Sequence, residues 1–150
     1  MKEVYYVYNN EAISSCIFLS ILDDVENIDI PRSCLILPFL LDDRTVNYLN
    51  NNIDIDFNLE EMISDSPRLF TSFNKRYLSL LPVTINSLIL LRKSAQILIG
   101  THISKLDTDV FDSADLGQRF RKIETIIPRF LMLIDPYSTQ ELYKILKVQL

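Results

Sequence analysis

The sequence of 150 residues contains only two glycines, one histidine and no tryptophan. Phosphate-binding loops, dinucleotide fingerprints and nucleophile elbows need several glycines in a short window, because the backbone there approaches a ligand or turns sharply. Gly100 and Gly117 are too far apart to form any of these motifs. A single histidine also excludes a metal site built from several histidines. The sequence thus lacks the motifs of common catalytic sites, so we expect no enzyme activity, no cofactor and no bound metal.

Cysteine content and the lengths of the apolar segments indicate the cellular compartment in which we expect the protein. Cys16 and Cys34 lack the C-x-x-C spacing of metal or redox sites, so we expect two buried, reduced thiols in a cytoplasmic protein. The longest charge-free stretch, residues 77–91, covers fifteen residues, whereas a membrane span needs about 20. No basic segment precedes an apolar run at the start, so the sequence predicts no signal peptide and no membrane contact.

Hydrophobic residues make up 48% of the chain, which includes seven tyrosines and eight phenylalanines. This apolar surface can offset chain entropy, so we predict one folded domain over residues 1–150. The net charge of −5 argues against a dedicated nucleic-acid-binding protein. Residues 1–112 carry 16 acidic and 9 basic side chains, whereas residues 113–150 carry 4 and 6. We therefore expect an acidic body and a basic C-terminal part with different neighbours.

Start and stop signals predict a mainly α-helical domain. Asn9 and Asn10 offer caps for a helix through residues 12–22, which is apolar nearly all round. Asp29, two residues before a proline, marks the start of another helix. Pro38 predicts a kink or break shortly before it, because proline removes a backbone hydrogen bond and clashes with the preceding turn.

The central part of the chain changes its periodicity. A short helix is expected over residues 43–50. Residues 53–60 then alternate apolar and polar side chains, as in a half-exposed strand or an extended loop. Further helices are predicted over residues 59–65, over residues 67–82 after a Ser-Pro cap, and over residues 84–95 with almost no linker.

The segment at residues 96–106 has the clearest local signal. Two β-prone runs flank Gly100 and Thr101, which suits the two-residue turn of a β-hairpin. The order of helix, helix and hairpin is that of a winged helix-turn-helix. We therefore predict a winged-helix-like core at about residues 59–107 inside a compact helical domain.

C-terminal helices are expected over residues 113–150, after an acidic loop at residues 107–112. The first of them is closed or kinked at Pro128. Ser138 and Glu141 form a capping box for the last helix, because each side chain can satisfy a free backbone N–H group of the other.

Two patterns suggest chemistry, but each has a plainer interpretation. Asp54, Asp56 and Asn58 alternate like the first ligands of a calcium loop, yet the glycine and glutamate that such a loop needs are replaced by Leu59 and Asp65. We interpret them as an outward strand face.

His102 is a candidate general base only beside a nucleophile, for which Ser104 and Cys16 are the sole candidates. We interpret it as a structural or exposed histidine, because no third orienting group can be assigned.

Arg119, Arg121, Lys122 and Arg129 form the only basic concentration. Helical spacing places most of this charge on one face, opposite an apolar face formed by Leu116, Phe120, Ile123 and Ile127. The basic face is a candidate contact for phosphate or for an acidic partner, and a plain solvated face is the third interpretation.

The helical region at residues 73–91 has more apolar side chains than one small core needs. Surplus apolar surface usually marks a docking patch. The start of the 84–95 helix also has no arginine that could read DNA bases. We therefore predict protein docking through this region and the last helix, with candidate residues Leu80, Leu81, Leu88, Leu91, Leu142 and Leu146.

Five segments, in a fixed order, cover nearly the whole chain: NNEA (9–12), IDIPRSCLILPFLL (28–41), FNKRYLSLLPVTINSLILL (73–91), LGQRFRKI (116–123) and LYKILKVQL (142–150). Their order and hydrophobic texture resemble the middle components of three-component ABC systems, as in Lamassu-type anti-phage defence. These small bacterial subunits accompany an SMC/Rad50-like ATPase and an effector.

The resemblance implies a non-enzymatic adaptor that joins the ATPase to an effector, often a nuclease, and helps to control effector activation when foreign DNA is sensed. It carries no catalytic residue over to this chain, and it leaves open an indirect or weak contact of this subunit with DNA. The alternative hypothesis is a winged-helix DNA-binding transcriptional regulator, which predicts salt-dependent DNA affinity.

Overall fold

The computed structural model describes residues 2–106 and 117–149, with side chains from Glu11 onward. Helices dominate and a small antiparallel sheet accompanies them, as the sequence predicts. The elements follow in the order α1 (Lys2–Asp24), β1 (Asn27–Asp29), α2 (Ile30–Ser33), α3 (Ile36–Leu40), α4 (Asp43–Asn51), α5 (Leu59–Asp65), a 3-10 turn (Pro67–Leu69), α6 (Phe73–Lys93), β2 (Ile97–Ile99), β3 (His102–Lys105), α7 (Gly117–Ile134) and α8 (Thr139–Ile145).

The three strands form one sheet in the order β1-β3-β2, with both pairs antiparallel. Ile103 of β3 lies opposite Ile28 of β1 and Ile99 of β2, and both Ile28 and Ile103 are buried. The predicted hairpin is confirmed, with Gly100 and Thr101 at its turn. Strand β1 has no counterpart in the sequence-based prediction, because a three-residue strand with one apolar side chain has too little periodicity to detect.

Four phenylalanines join the helices at the centre of the core. The ring of Phe39 in α3 lies 5.0 Å from that of Phe73 in α6, 5.2 Å from that of Phe130 in α7 and 5.9 Å from that of Phe70, measured between ring centroids. Two of these pairs are edge-to-face, the arrangement that aromatic quadrupoles favour. Phe39, Phe73 and Phe130 are almost completely buried. This cluster therefore fixes α3, α6 and α7 relative to one another.

Several local signals have the expected structural result. The Asp29 side chain accepts a hydrogen bond of 2.8 Å from the Arg32 amide and caps α2. The chain breaks between α2 and α3, shortly before Pro38. Capping boxes begin α5, at Asn58, and α8, at Ser138. Helices α4 and α5 lie within one residue of the predicted bounds.

The prediction of separate helices over residues 67–82 and 84–95 is wrong. A 3-10 turn follows Ser66, and α6 then runs without interruption through Pro82 to Lys93. Pro82 is exposed, so water can solvate the Leu78 carbonyl, which has no N–H donor from the proline. Buried side chains on both sides of the proline, Tyr77 and Val83 among them, hold the helix against the core. Pro128 likewise lies inside a continuous α7.

Two further expectations are corrected. Asn9 and Asn10 lie within α1, so they do not cap a helix that begins after them. Residues 53–57 form turns and an irregular segment and no strand. The acidic loop at residues 107–112 and the start of the following helix lie outside the described residues. Within the described ranges, no helix combines the length and the apolar content that a bilayer span requires.

We expect Phe39→Ala to reduce the free energy of unfolding by about 3–5 kcal/mol, because the substitution removes a buried ring and leaves a cavity among three helices. Urea denaturation followed by circular dichroism measures the change. Ile55→Ala is the matched control: its side chain is 54% exposed, and we expect a loss of less than about 0.5 kcal/mol. Equal losses for the two variants would contradict the central role of the aromatic cluster.

Candidate functional site

The outward side of α6 exposes several large apolar residues. Leu78, Ile85 and Ile89 follow helical spacing along one face and are 49%, 48% and 37% exposed, and the neighbouring Leu90 is 50% exposed. We call these four residues the outer α6 surface. Isolated exposed apolar side chains are common on proteins, but a row of them along one helix is typical of a docking surface.

The inner side of α6 packs against α1 and α3. Ser14 in α1 and Ser87 in α6 are fully buried, and their hydroxyl oxygens are hydrogen-bonded to each other. The Asn86 amide also donates to the Glu11 carboxylate over 3.1 Å. These polar contacts fix the rotation of α6 about its axis, and so determine which of its apolar residues face outward.

The structure corrects most of the predicted docking residues. Leu88, Leu91, Leu142 and Leu146 are between 0% and 7% exposed and belong to the core. Leu80 and Leu81 are half-buried against the same core. Apolar side chains occur on both the inward and the outward side of α6, so its composition alone does not tell which leucines face solvent. The outer α6 surface replaces these residues as the candidate docking surface.

The predicted apolar face of α7 is confirmed in its described part, where Phe120, Ile123 and Ile127 are buried. Arg121 and Lys122 are exposed on the other side. Neither side chain forms an ion pair with a described residue. These two cations are therefore available for phosphate or for a carboxylate of a partner.

The other two predicted basic residues have structural partners. Arg119 Nε lies 3.2 Å from Asp43 Oδ1, and the same guanidinium donates to the Leu41 carbonyl over 3.2 Å. Arg129 donates to the Ile55 carbonyl, and its guanidinium carbon lies 4.4 Å from the centroid of the Phe57 ring. Both arginines attach α7 to the segment around α4, so the basic face is reduced to Arg121 and Lys122.

His102 lies at the start of β3, next to the hairpin turn, and its Nδ1 atom is 3.2 Å from the Thr101 hydroxyl. It is exposed, and its cross-strand neighbour is Asp29. Ser104 lies on the same strand, and among the described residues no side-chain hydrogen bond joins it to His102. The arrangement is that of a surface histidine and does not form a nucleophile–base pair.

Both cysteines are free, and Cys16 is buried in α1. Burial raises the pKa of the Cys16 thiol to about 11. Burial also raises the pKa of Cys34, with a smaller opposing effect from the Ser33 hydrogen bond. Because the thiolate is the reactive form, neither residue is suited to nucleophilic chemistry at neutral pH.

Sequence reasoning also missed a polar network that joins the start of α2 to the segment around α8. Thr139 at the start of α8 donates to Asp29 over 2.7 Å and accepts from Arg32 Nε over 3.0 Å. Arg32 also donates to the Tyr137 carbonyl. Tyr143 donates to the Pro31 carbonyl over 2.6 Å. The only sequence signal for this network is Thr139, a polar residue next to the N-cap Ser138. Local patterns do not reveal its partners, because the hydrogen-bonded residues lie more than 100 positions apart.

A scan against protein-family models and searches of curated proteins and solved structures returned no match. The fold itself defines a mainly helical domain with one three-stranded antiparallel sheet. The surfaces that the described residues form are therefore the features that bear on function.

We expect Cys16 to be strongly protected from alkylation in the folded protein. At about pH 9 a thiol with a pKa of about 11 is only about 1% ionised, whereas an unfolded cysteine with a pKa near 8.5 is mostly thiolate. In a Cys34→Ala variant, iodoacetamide should modify the native chain on the order of 100-fold more slowly than the urea-unfolded chain. Comparable rates would show that Cys16 is accessible and ionised.

The same shift makes stability depend on pH. The folded chain binds the thiol proton more tightly than the unfolded chain does, so the free energy of unfolding should fall as the pH rises from about 8.5 towards 11. Cys16→Ala is the control, because it removes this contribution to the slope. An equal slope of the free energy of unfolding against pH in both proteins over this interval would contradict the raised pKa of Cys16.

Proposed function

We propose that this chain is a non-catalytic adaptor subunit of a bacterial, cytoplasmic anti-phage defence complex. It would bridge an SMC/Rad50-like ABC ATPase and an effector, expected to be a nuclease, and help to control activation of the effector when foreign DNA is sensed. The family resemblance suggests this role. The observation that carries the proposal is the outer α6 surface, which leaves four large apolar side chains unburied on a helix of the domain.

The character of this surface favours a protein partner over DNA. On a helix that precedes a hairpin, a DNA-binding protein would present polar and basic side chains to the groove. Here Leu78, Ile85 and Ile89 occupy the outward positions. Burying the four half-exposed side chains would contribute roughly 3–6 kcal/mol before the entropic cost of association. The surface would therefore act as the anchor of a larger interface.

Charged residues at the ends of α6 indicate which partner surface is complementary. Lys75 lies near the start of the helix, and Arg92 and Lys93 lie in its last turn, all of them exposed. An apolar surface flanked by cations fits a partner helix that has an apolar stripe flanked by Asp or Glu. We assign this surface to the ATPase. The exposed pair Arg121 and Lys122 on α7 forms a second, separate contact, as a bridging subunit needs.

We expect Ile85→Asp combined with Ile89→Asp to reduce recovery of the ATPase at least 10-fold when the tagged chain is expressed from its native operon and purified at moderate salt. Two carboxylates placed in the centre of an apolar interface lose hydration without gaining a partner. Both wild-type residues are exposed, so the fold should be retained. Quantitative mass spectrometry of the co-purified proteins measures recovery.

Ile53→Asp combined with Ile55→Asp is the matched control, since it adds two carboxylates at isoleucines that are 41% and 54% exposed and lie outside α6. It should leave recovery of the ATPase unchanged. Purification of the wild-type chain alone, or with DNA only, would contradict the adaptor proposal. Unchanged recovery with the double variant would contradict the assigned surface.

A winged-helix transcriptional regulator is the second candidate. The observation that favours it is the sheet order β1-β3-β2 with α6 directly before the hairpin, together with the exposed Arg121 and Lys122. The apolar outer α6 surface and the net charge of −5 weigh against it.

Fluorescence anisotropy with a labelled DNA duplex separates the two candidates. If the chain is an adaptor, we expect no saturable binding at about 10 µM protein in low salt, an affinity range that basic proteins reach without sequence specificity. A regulator would bind, and Arg121→Glu with Lys122→Glu would abolish binding. Two phosphate contacts would give a log–log salt slope of about −1.8. Lys144→Glu with Lys147→Glu makes the same change in net charge at exposed residues outside α7 and serves as the control.

A further inference from the structure

A cleft of about 640 Å³ lies between the α1–β1 connection, the start of β3 and the C-terminal half of α7. This volume is within the range that ligand pockets commonly have. The cleft shares no residue with the outer α6 surface or with the exposed pair Arg121 and Lys122. It is therefore a third surface, which the adaptor proposal does not use.

The side of the cleft that α7 forms is largely apolar. Pro128, Leu131 and Met132 line it from α7, and Met132 is the most exposed large apolar residue of the described chain, at 68%. Methionine is unbranched and polarisable, so it adapts to apolar groups of different shape. This apolar side of the cleft can pack against an aliphatic or aromatic side chain of a ligand.

The walls of the cleft carry negative charge that is not neutralised. Asp24 and Asp135 line it, are exposed and form no ion pair with a described residue. Asp29 also lines it, but its carboxylate is engaged by Thr139 and Arg32. The positive charge of Arg32 is balanced by Asp29, since Arg32 Nε lies 3.8 Å from Asp29 Oδ2. The free charges are therefore two carboxylates.

The C-terminal end of α7 borders the cleft and contacts a cation of the chain itself. Pro136 has no N–H group, so the Met132 carbonyl lacks its usual helical donor. The Tyr137 amide donates to the Ile134 carbonyl over 3.2 Å, so the Leu133 carbonyl is also left without that donor. Carbonyl groups at a helix C-terminus carry partial negative charge and favour cations. The Arg32 guanidinium already donates to the Ile134 carbonyl over 3.5 Å and to the Tyr137 carbonyl, so a cation of the chain itself occupies this helix end.

We propose that this cleft binds a basic, amphipathic segment of a partner protein. An apolar side chain of the segment would lie on Leu131 and Met132, and flanking Lys or Arg side chains would pair with Asp24 and Asp135. Charge complementarity selects this occupant, because the same walls repel nucleic acid and acidic peptides. The described residues hold no group of three or more side chains suited to a metal ion. The proposal stands independently of the adaptor role.

The full-length chain labelled with ¹³C-methyl methionine provides the test. The chain has three methionines: Met132 in the cleft, Met62, which is fully buried and serves as the internal reference, and Met1. Titration with the peptide acetyl-Lys-Lys-Leu-Phe-Lys-Lys-amide should shift the Met132 methyl resonance in a saturable way and leave that of Met62 in place. The peptides Glu-Glu-Leu-Phe-Glu-Glu and Lys-Lys-Ser-Ser-Lys-Lys should produce no saturable shift at the same concentrations.

Charge variants then test whether Asp24 and Asp135 bind the basic peptide. Asp24→Asn and Asp135→Asn should each weaken the affinity for the basic peptide about 2- to 5-fold, the range for exposed charge pairs. Asp24→Lys combined with Asp135→Lys should weaken it at least 10-fold. The matched control is Asp54→Lys with Glu124→Lys, which makes the same change in net charge at exposed residues outside the cleft.

Each outcome decides the proposal. Saturable binding at Met132 that depends on Asp24 and Asp135, and is unaffected by the control pair, supports it. A stationary Met132 resonance, equal binding of the acidic peptide, or equal weakening by the two double variants would overturn it. Circular dichroism of each variant verifies that the fold is retained, and the single Asn variants remain informative if a Lys variant does not fold.

Discussion

The contact of Phe39 with Phe73 and Phe130 is the constraint on which the rest of the molecule depends. These rings come from three helices that are distant in the sequence, and their burial determines which sides of α6 and α7 face inward. The outward sides follow by geometry: apolar residues on α6, two cations on the N-terminal half of α7, and an acidic cleft at its C-terminal end. The packing of one core thus determines the positions of three surfaces that differ in chemistry.

Features of the fold that depend on a few neighbouring residues could be predicted from the sequence. The hairpin at Gly100, the Ser138 capping box and the break before Pro38 each need only a local backbone preference. Pro82 shows the limit of that reasoning. Its cost of about 3 kcal/mol to a helix is a local quantity, but the buried side chains before and after it decide whether the helix continues. Strand β1 could not be predicted either, because it exists only through its pairing with β3.

The candidate surfaces could be predicted only in outline. The two faces of α7 follow from helical spacing, since one is apolar and the other polar. Spacing does not show that Arg119 and Arg129 are engaged by Asp43 and Phe57, because these contacts join distant parts of the chain. The prediction of Leu142 and Leu146 as docking residues rests on apolarity, which core and docking residues share. The cleft beside Met132 has no sequence signature, because its walls meet only in the folded chain.

The pairing of β1 with β3 also sets an order of events during synthesis. About 70 residues separate Asp29 from His102, its partner across the two strands. At a translation rate of about 5–20 residues per second, that segment takes roughly 4–14 s to synthesise. Ile28 therefore leaves the ribosome long before the strand that will cover it. During this interval the helices from α1 to α6 can fold against one another, but the sheet stays open until the hairpin has emerged.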